Sequence, residues 1–117
     1  LVLPGGIPGA HHLRENDFLI QKLKEYSKKG KIIAAICAAP IVLHRAGLLK
    51  KKKFTCYPGF EDEINDGVYT GALVEKDGKI TTGCGAAASF EFAYTIAEAL
   101  GTDTSALREG MQYNKLF

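Results

Sequence analysis

Five consecutive apolar residues, Ile32-Ile33-Ala34-Ala35-Ile36, run without a polar interruption into Cys37-Ala38-Ala39-Pro40. A strand that alternates apolar and polar residues can leave one face in water; this stretch has no polar face to offer. It therefore predicts a strand covered on both faces, the condition of an interior strand in a parallel sheet. The small residues after it and Pro40 predict an immediate turn into a helix, because a proline in the first helical turn forfeits little hydrogen bonding. A cysteine at that corner has the arrangement of a nucleophile elbow, with sulfur in place of oxygen. Unpaired helix N–H groups and the positive end of a helix dipole favour an anionic nucleophile there. The competing reading is a small buried thiol that packs a strand end.

The rest of the chain reads in the same layered pattern. Val2-Leu3 looks like the end of a buried strand, and Pro4-Gly5-Gly6-Ile7-Pro8-Gly9 is a loop by composition, with His11 and His12 in a loop or helix lead-in. Asn16 or Asp17 can cap a helix carrying Phe18, Leu19, Leu23 and Tyr26 at helical spacing, closed by Gly30. The helix after Cys37 stops near Gly47. Lys50 to Lys53 is a run of lysines that reads as a solvated loop. Phe54 to Tyr57 predicts a short strand and Phe60 to Ile64 a helical turn. Val68 to Glu75 and Lys79 to Thr82 predict strands flanking Lys76-Asp77-Gly78, where Asp-Gly signals a hairpin. Ala86 to Leu100 predicts a helix burying Phe90, Ala93, Ile96, Ala97 and Leu100, followed by a last helix capped at Thr102 or Asp103 and running to about Gln112.

An order of β-α-β-α-β, then a hairpin and two helices, argues for a layered α/β domain with a mostly parallel sheet. In such sheets sites form beyond the carboxyl ends of the strands. The segments Gly5-Gly6, Cys37-Ala38, Tyr57-Pro58 and Gly83-Cys84-Gly85 all leave those ends, and this convergence favours a reactive Cys37.

Bulk properties set outer limits. A chain of 117 residues suffices for one domain with a real core. A net charge of +2 gives no reason to expect nucleic acid or a membrane surface as partner, and no apolar run is long enough to span a bilayer. Three cysteines, without metal-type spacing, argue against a disulfide framework and for a reducing, cytoplasmic setting. No metal or cofactor is expected. The abrupt start at Leu1 suggests that residues 1–117 are the C-terminal portion of a single domain whose earlier βα units are lost or carried by another chain.

A nucleophilic cysteine needs oxyanion donors and a proton carrier. The N–H groups of Gly5, Gly6 and Ala38 could supply the first. No carrier stands out: His44 lies too far along the Cys37 helix, and Glu61, Asp62 and Glu63 read as a solvated rim. Tyr57 reads either as a donor lining the site or as a packed aromatic. Cys84 reads either as a thiol able to resolve an oxidised Cys37 or as a bystander, and Cys56 as a structural strand residue.

Leu-Pro-Gly-Gly at 3–6, Ala-Ala-Ile-Cys-Ala-Ala-Pro at 34–40, Val-Glu-Lys-Asp-Gly at 74–78 and Ser-Phe-Glu-Phe-Ala at 89–93 together resemble the ThiJ/PfpI superfamily, and within it the parkinsonism-associated deglycase branch and its bacterial relatives. The resemblance implies a flavodoxin-like (class I glutamine amidotransferase-like) sandwich, a homodimer, a reactive cysteine matched by Cys37, and an oxyanion-type pocket at Gly5, Gly6 and Ala38. It implies action on small aldehydes or dicarbonyls as a glutathione-independent glyoxalase or a deglycase, or else oxidative-stress sensing or chaperone action; an older label is thiazole monophosphate biosynthesis. It also implies a protonated glutamate partner from the first βα unit, which these residues lack. Tyr57 stands where many members carry histidine, and Cys84-Gly85-Ala86-Ala87 replaces an Arg-Gly-Pro-Gly loop.

Overall fold

The computed structural model describes all of residues 1–117. In chain order the elements are β1 (Val2–Leu3), α1 (Gly9–Glu15), α2 (Asp17–Lys28), β2 (Ile33–Ile36), α3 (Pro40–Arg45), β3 (Lys53–Phe54), β4 (Val68–Tyr69), β5 (Val74–Asp77), β6 (Ile80–Gly83), α4 (Ser89–Ala99) and α5 (Ser105–Gly110), with short 3₁₀ turns at Phe60–Glu63, Ala86–Ala88 and Tyr113–Leu116. The main sheet has the order β1-β2-β6-β5. β1, β2 and β6 run parallel, with Val2 opposite Ala34 and Ile36 opposite Gly83, and β5 returns antiparallel to β6. β3 and β4 form a separate parallel pair.

The apolar run occupies the expected place. Ile33, Ala34 and Ala35 are buried, and β2 is paired on both sides. Ile33 and Ala35 join a core with Leu23, Ile41, Leu43 and Phe54. Full burial of Leu23, Ile41 and Leu43 contributes roughly 1.5–3 kcal/mol apiece. On the opposite face Ile36 and Phe92 crowd Gly83 so closely that an added Cβ would lie 3.0–3.2 Å from them, which seats α4 against β6. Asn16 caps α2 by accepting the Leu19 N–H at 3.0 Å. The β5–β6 hairpin turns through Gly78-Lys79, with Gly78 at φ +63°. No helix is long and apolar enough to cross a membrane.

Several sequence expectations change. Residues 9–15 form a helix, α1, that the glycine- and proline-rich surroundings hide; it packs against α3 and places His11 and His12 on a helix. The strand expected over 54–57 is confined to Lys53–Phe54, since beyond it Thr55 bonds to the side chain of Thr82 rather than to a ladder partner. The strand expected over 68–75 breaks into β4 and β5 at Gly71 (φ +68°). The helix expected from Ala86 opens with a 3₁₀ turn, and its buried residues are Phe92 and Tyr94, whereas Phe90 and Leu100 are more than half exposed. Apolar residues surround this helix, so spacing alone does not single out the stripe. Two different neighbours select it: the sheet takes Phe92, and the C-terminal segment takes Tyr94, whose ring meets Tyr113 edge-on at 5.0 Å.

That C-terminal segment is tied down by one ionic cluster. Arg108 reaches Glu91 at 2.9 Å and Glu98 at 3.0 Å, lies over the Tyr94 ring, and Tyr113 donates to Glu91 at 2.9 Å. The hydrogen bond from Arg108 holds the Glu91 carboxyl below its ordinary value of 4.5. Asp103, which accepts the Ser105 N–H at the start of α5, is lowered by that bond as well. A carboxyl depressed by folding contributes stability above its unfolded titration and loses it as pH falls through its folded value. Amide exchange across α5 is therefore expected to accelerate, relative to intrinsic rates, between about pH 5 and about pH 3. Glu91→Gln should reduce that pH dependence; an unchanged profile would show that the cluster does not anchor the segment.

Candidate functional site at the β2 elbow

Cys37 directly follows β2 and has φ +64°, the left-handed region that a residue with a Cβ enters at a cost of roughly 1–2 kcal/mol. Main-chain bonds on two sides hold it there: its N–H donates to Gly83 at 2.8 Å, and its carbonyl accepts from Tyr57 at 2.8 Å. Ala39 closes the turn by donating to Ile36 at 3.1 Å. The helix then begins at Pro40 and is six residues long, so Cys37 stands before a turn rather than directly on a helix start. A helix this short has a weaker field than the sequence suggests.

The loop after β1 approaches from one side. A Cβ on Gly5 would fall 2.6 Å from the Cys37 Cβ and 3.0 Å from the Ile36 carbonyl oxygen, so only glycine fits. Gly6 follows at φ +94°, and its carbonyl accepts the Ala10 N–H as α1 begins. The main-chain N–H groups of Gly5, Gly6 and Ala38 donate to no other group of the protein. All three N–H groups are thus uncommitted, but only Gly5 and Gly6 line the hollow beside Cys37, whereas Ala38 is buried.

Gly5, Gly6, Ile36 and Cys37 line a hollow of about 230 Å³ whose far wall is Ala86 and Ser89. Sequence reasoning missed this wall. Its available signal was the Ser-Phe-Glu-Phe-Ala stretch, which marks the start of α4. Ser89 is held by donating its hydroxyl to the Ala86 carbonyl at 2.6 Å.

The remaining candidates divide. Tyr57 supplies its backbone N–H to Cys37, but its ring is exposed, stacks edge-on with Phe60 and lies beside Gly85, outside the hollow's lining. Cys84 follows β6 as Cys37 follows β2, one position beyond the Ile36–Gly83 pair, yet it too lies outside the lining. All three cysteines are free. Cys56 is fully buried, and burial, helped by Glu61 and by the other two thiols, pushes it up to about 12. It therefore remains a neutral thiol. His44 is bonded to Asp66 at 3.1 Å, and neither His11, His12 nor any carboxylate lines the hollow.

The two changes Cys37→Gly and Cys37→Ala both remove the sulfur, but only glycine enters φ +64° without strain. Cys37→Gly is expected to be the more stable by about 1 kcal/mol in urea unfolding. Equal stability of the two would mean that the elbow stores no backbone strain.

Residues 1–99 match the model of the DJ-1/PfpI family. The chain is 40% identical over 103 residues to the Parkinson disease protein 7 homolog of Danio rerio, covering 86% of this chain and 54% of that protein. It is 42% identical over 83 residues to an uncharacterized protein of Methanocaldococcus jannaschii, covering 71% of this chain and 40% of that one. The crystal structure of Drosophila melanogaster DJ-1beta superposes with a TM-score of 0.89 at 35% identity, over 95% of this chain and 62% of that one. An oxidized Toxoplasma gondii DJ-1 does so with a TM-score of 0.80 at 36% identity, over 93% and 60%. The chain thus spans about half the length of the curated relatives it matches, and the shared architecture is the flavodoxin-like α/β fold.

Proposed function

Because the chain belongs to the DJ-1/PfpI family, we propose that Cys37 is a nucleophile toward small reactive dicarbonyls, acting as a glutathione-independent glyoxalase or deglycase. The observation that supports this reading best is the elbow itself: a cysteine held in a strained backbone conformation on a hollow that is also lined by Gly5 and Gly6, whose N–H groups are unused. Preorganised donors of this kind stabilise negative charge developing on a carbonyl oxygen.

The chemistry balances without an oxidant or a cofactor. The Cys37 thiolate adds to the aldehyde carbon of methylglyoxal, and the new oxyanion accepts hydrogen bonds from Gly5, Gly6 or Ala38. The proton on that carbon is then removed and returned to the neighbouring carbonyl carbon, leaving a thioester of lactate. Water cleaves the thioester, releasing lactate and the thiol. A base must shuttle the proton, and no side chain of the hollow can do so. The reading assigns that role to a carboxyl group on polypeptide packed along the open edge of β1, at the carboxyl end of that strand, where Gly5 meets Cys37. Polypeptide at that edge would also remove an aggregation-prone strand boundary. The complete protein is proposed to act in the cytoplasm as a homodimer.

Lactate formation from methylglyoxal by the complete protein is expected to fall at least about 100-fold in Cys37→Ala, in line with loss of a covalent nucleophile. Turnover that survives this change would refute the assignment.

A second reading, redox sensing without turnover, has its own observation in its favour: Cys37 and Cys84 are partly exposed, whereas Cys56 is sealed. Mild peroxide followed by peptide mass spectrometry should find Cys37 oxidised well before Cys56. Oxidation of all three at equal rates would count against it.

A further inference from the structure

The lysine run that the sequence presents as a solvated loop has a more specific arrangement in the fold. Lys51 adopts φ +60° and donates its N–H to Asp66, while Lys53 enters β3. The two residues between and before them, Lys50 and Lys52, border a hollow of about 400 Å³ together with Lys31, Lys79, Ser27 and Gly78. The four lysines come from three separate segments: the lead-in to β2, the loop before β3, and the β5–β6 turn. None of the residues lining this hollow is acidic. Lys52 has a distant carboxylate, Asp77, at 3.9 Å, and Lys31 lies over the Tyr26 ring; Lys50 and Lys79 have no ion-pair partner.

Two features make this a shaped recess. Gly47 and Gly78 border it in left-handed conformations, at φ +75° and φ +63°, so turns rather than side chains form part of its wall. The Lys52 ammonium lies over one of these turns, where a Cβ on Gly78 would meet it at 3.4 Å. The floor reaches the buried Ile33 and Ile80 at the amino ends of β2 and β6. Cys37 lies beyond the carboxyl end of β2, roughly 13 Å of strand away. The recess is therefore separate from the elbow.

Lysines from three segments border one concavity with a single carboxylate, Asp77, in reach of one of them, and an anion carrying several charges in a short span balances that excess of positive charge. A chain of two or three phosphoryl groups carries more charge over a longer span than a single phosphate, and so suits lysines contributed by separate segments. A nucleic acid strand would call for an extended row of cations, whereas these lysines border a single recess of about 400 Å³. We infer that the recess binds a small molecule bearing a di- or triphosphate group, with Lys50 and Lys79 as its two principal contacts and Lys31 and Lys52 flanking them.

Titration calorimetry of the protein with inorganic tripolyphosphate tests this directly. Binding is expected to be at least about tenfold tighter than for inorganic phosphate and to weaken as salt is added. The double change Lys50→Ala with Lys79→Ala should weaken it at least about tenfold. The double change to arginine should retain it, and Lys24→Ala with Lys28→Ala on α2 should leave it unaltered. ATP binding as tightly as tripolyphosphate would assign recognition to the phosphate chain alone, and tighter ATP binding would add the nucleoside; both support the site. Equal affinity for phosphate and tripolyphosphate would overturn the proposal. So would indifference to the alanine pair, or displacement of tripolyphosphate by a lower concentration of single-stranded oligonucleotide.

Discussion

The structure depends on β2 being paired along both edges and covered on both faces. A strand in that position can carry no polar side chain without an internal partner, and its four residues carry none. Its neighbours then follow. β1 and β6 must lie beside it in parallel, so their following segments emerge at the same end as Cys37. The loop after β1 brings Gly5 against the Cys37 Cβ, and the end of β6 brings Gly83 to accept the Cys37 N–H, with Cys84 following. The site is a consequence of where three parallel strands stop.

The same constraint places strain at the point of proposed chemistry. Cys37 is held at φ +64° because both its N–H and its carbonyl are engaged by neighbouring segments. A cysteine free to relax would leave the left-handed region. The cost is offset by the ladder around it, a common pattern where backbone geometry serves a reactive group. The opposite end of the sheet is different in character. There the lysines project from turns and loop residues, and only Lys52 has a carboxylate, Asp77, within reach.

Much of the elbow was legible beforehand, because its signals are local. The apolar run, the small residues and Pro40 lie within one short stretch, and the loop that carries Gly5 and Gly6 is marked by its own composition. What was illegible is what depends on a distant partner. Ser89 and Ala86 complete the hollow only because α4 crosses that face of the sheet. The buried stripe of α4 was misassigned for a related reason: Phe92 and Tyr94 are chosen by two different neighbours, neither visible in the helix's own spacing. The helix over residues 9–15 escaped notice since its stability comes from packing on α3 rather than from strong caps or periodicity.

By itself the sequence determined the layered α/β class, the interior strand within Ile32–Ile36, the turn at Cys37 and the glycine loop after β1. These rest on near-neighbour patterning, whereas the close approach of Gly5 to Cys37 is a tertiary contact. Only the tertiary structure decided that Tyr57 contributes its backbone rather than its ring, that Cys56 is sealed while Cys84 stands beside Cys37, and that alternate lysines of one run join Lys31 and Lys79 around a single recess. Those outcomes depend on which segments the sheet brings together. Contacts between residues far apart in the chain are set by the closure of the whole fold, and no local pattern encodes them.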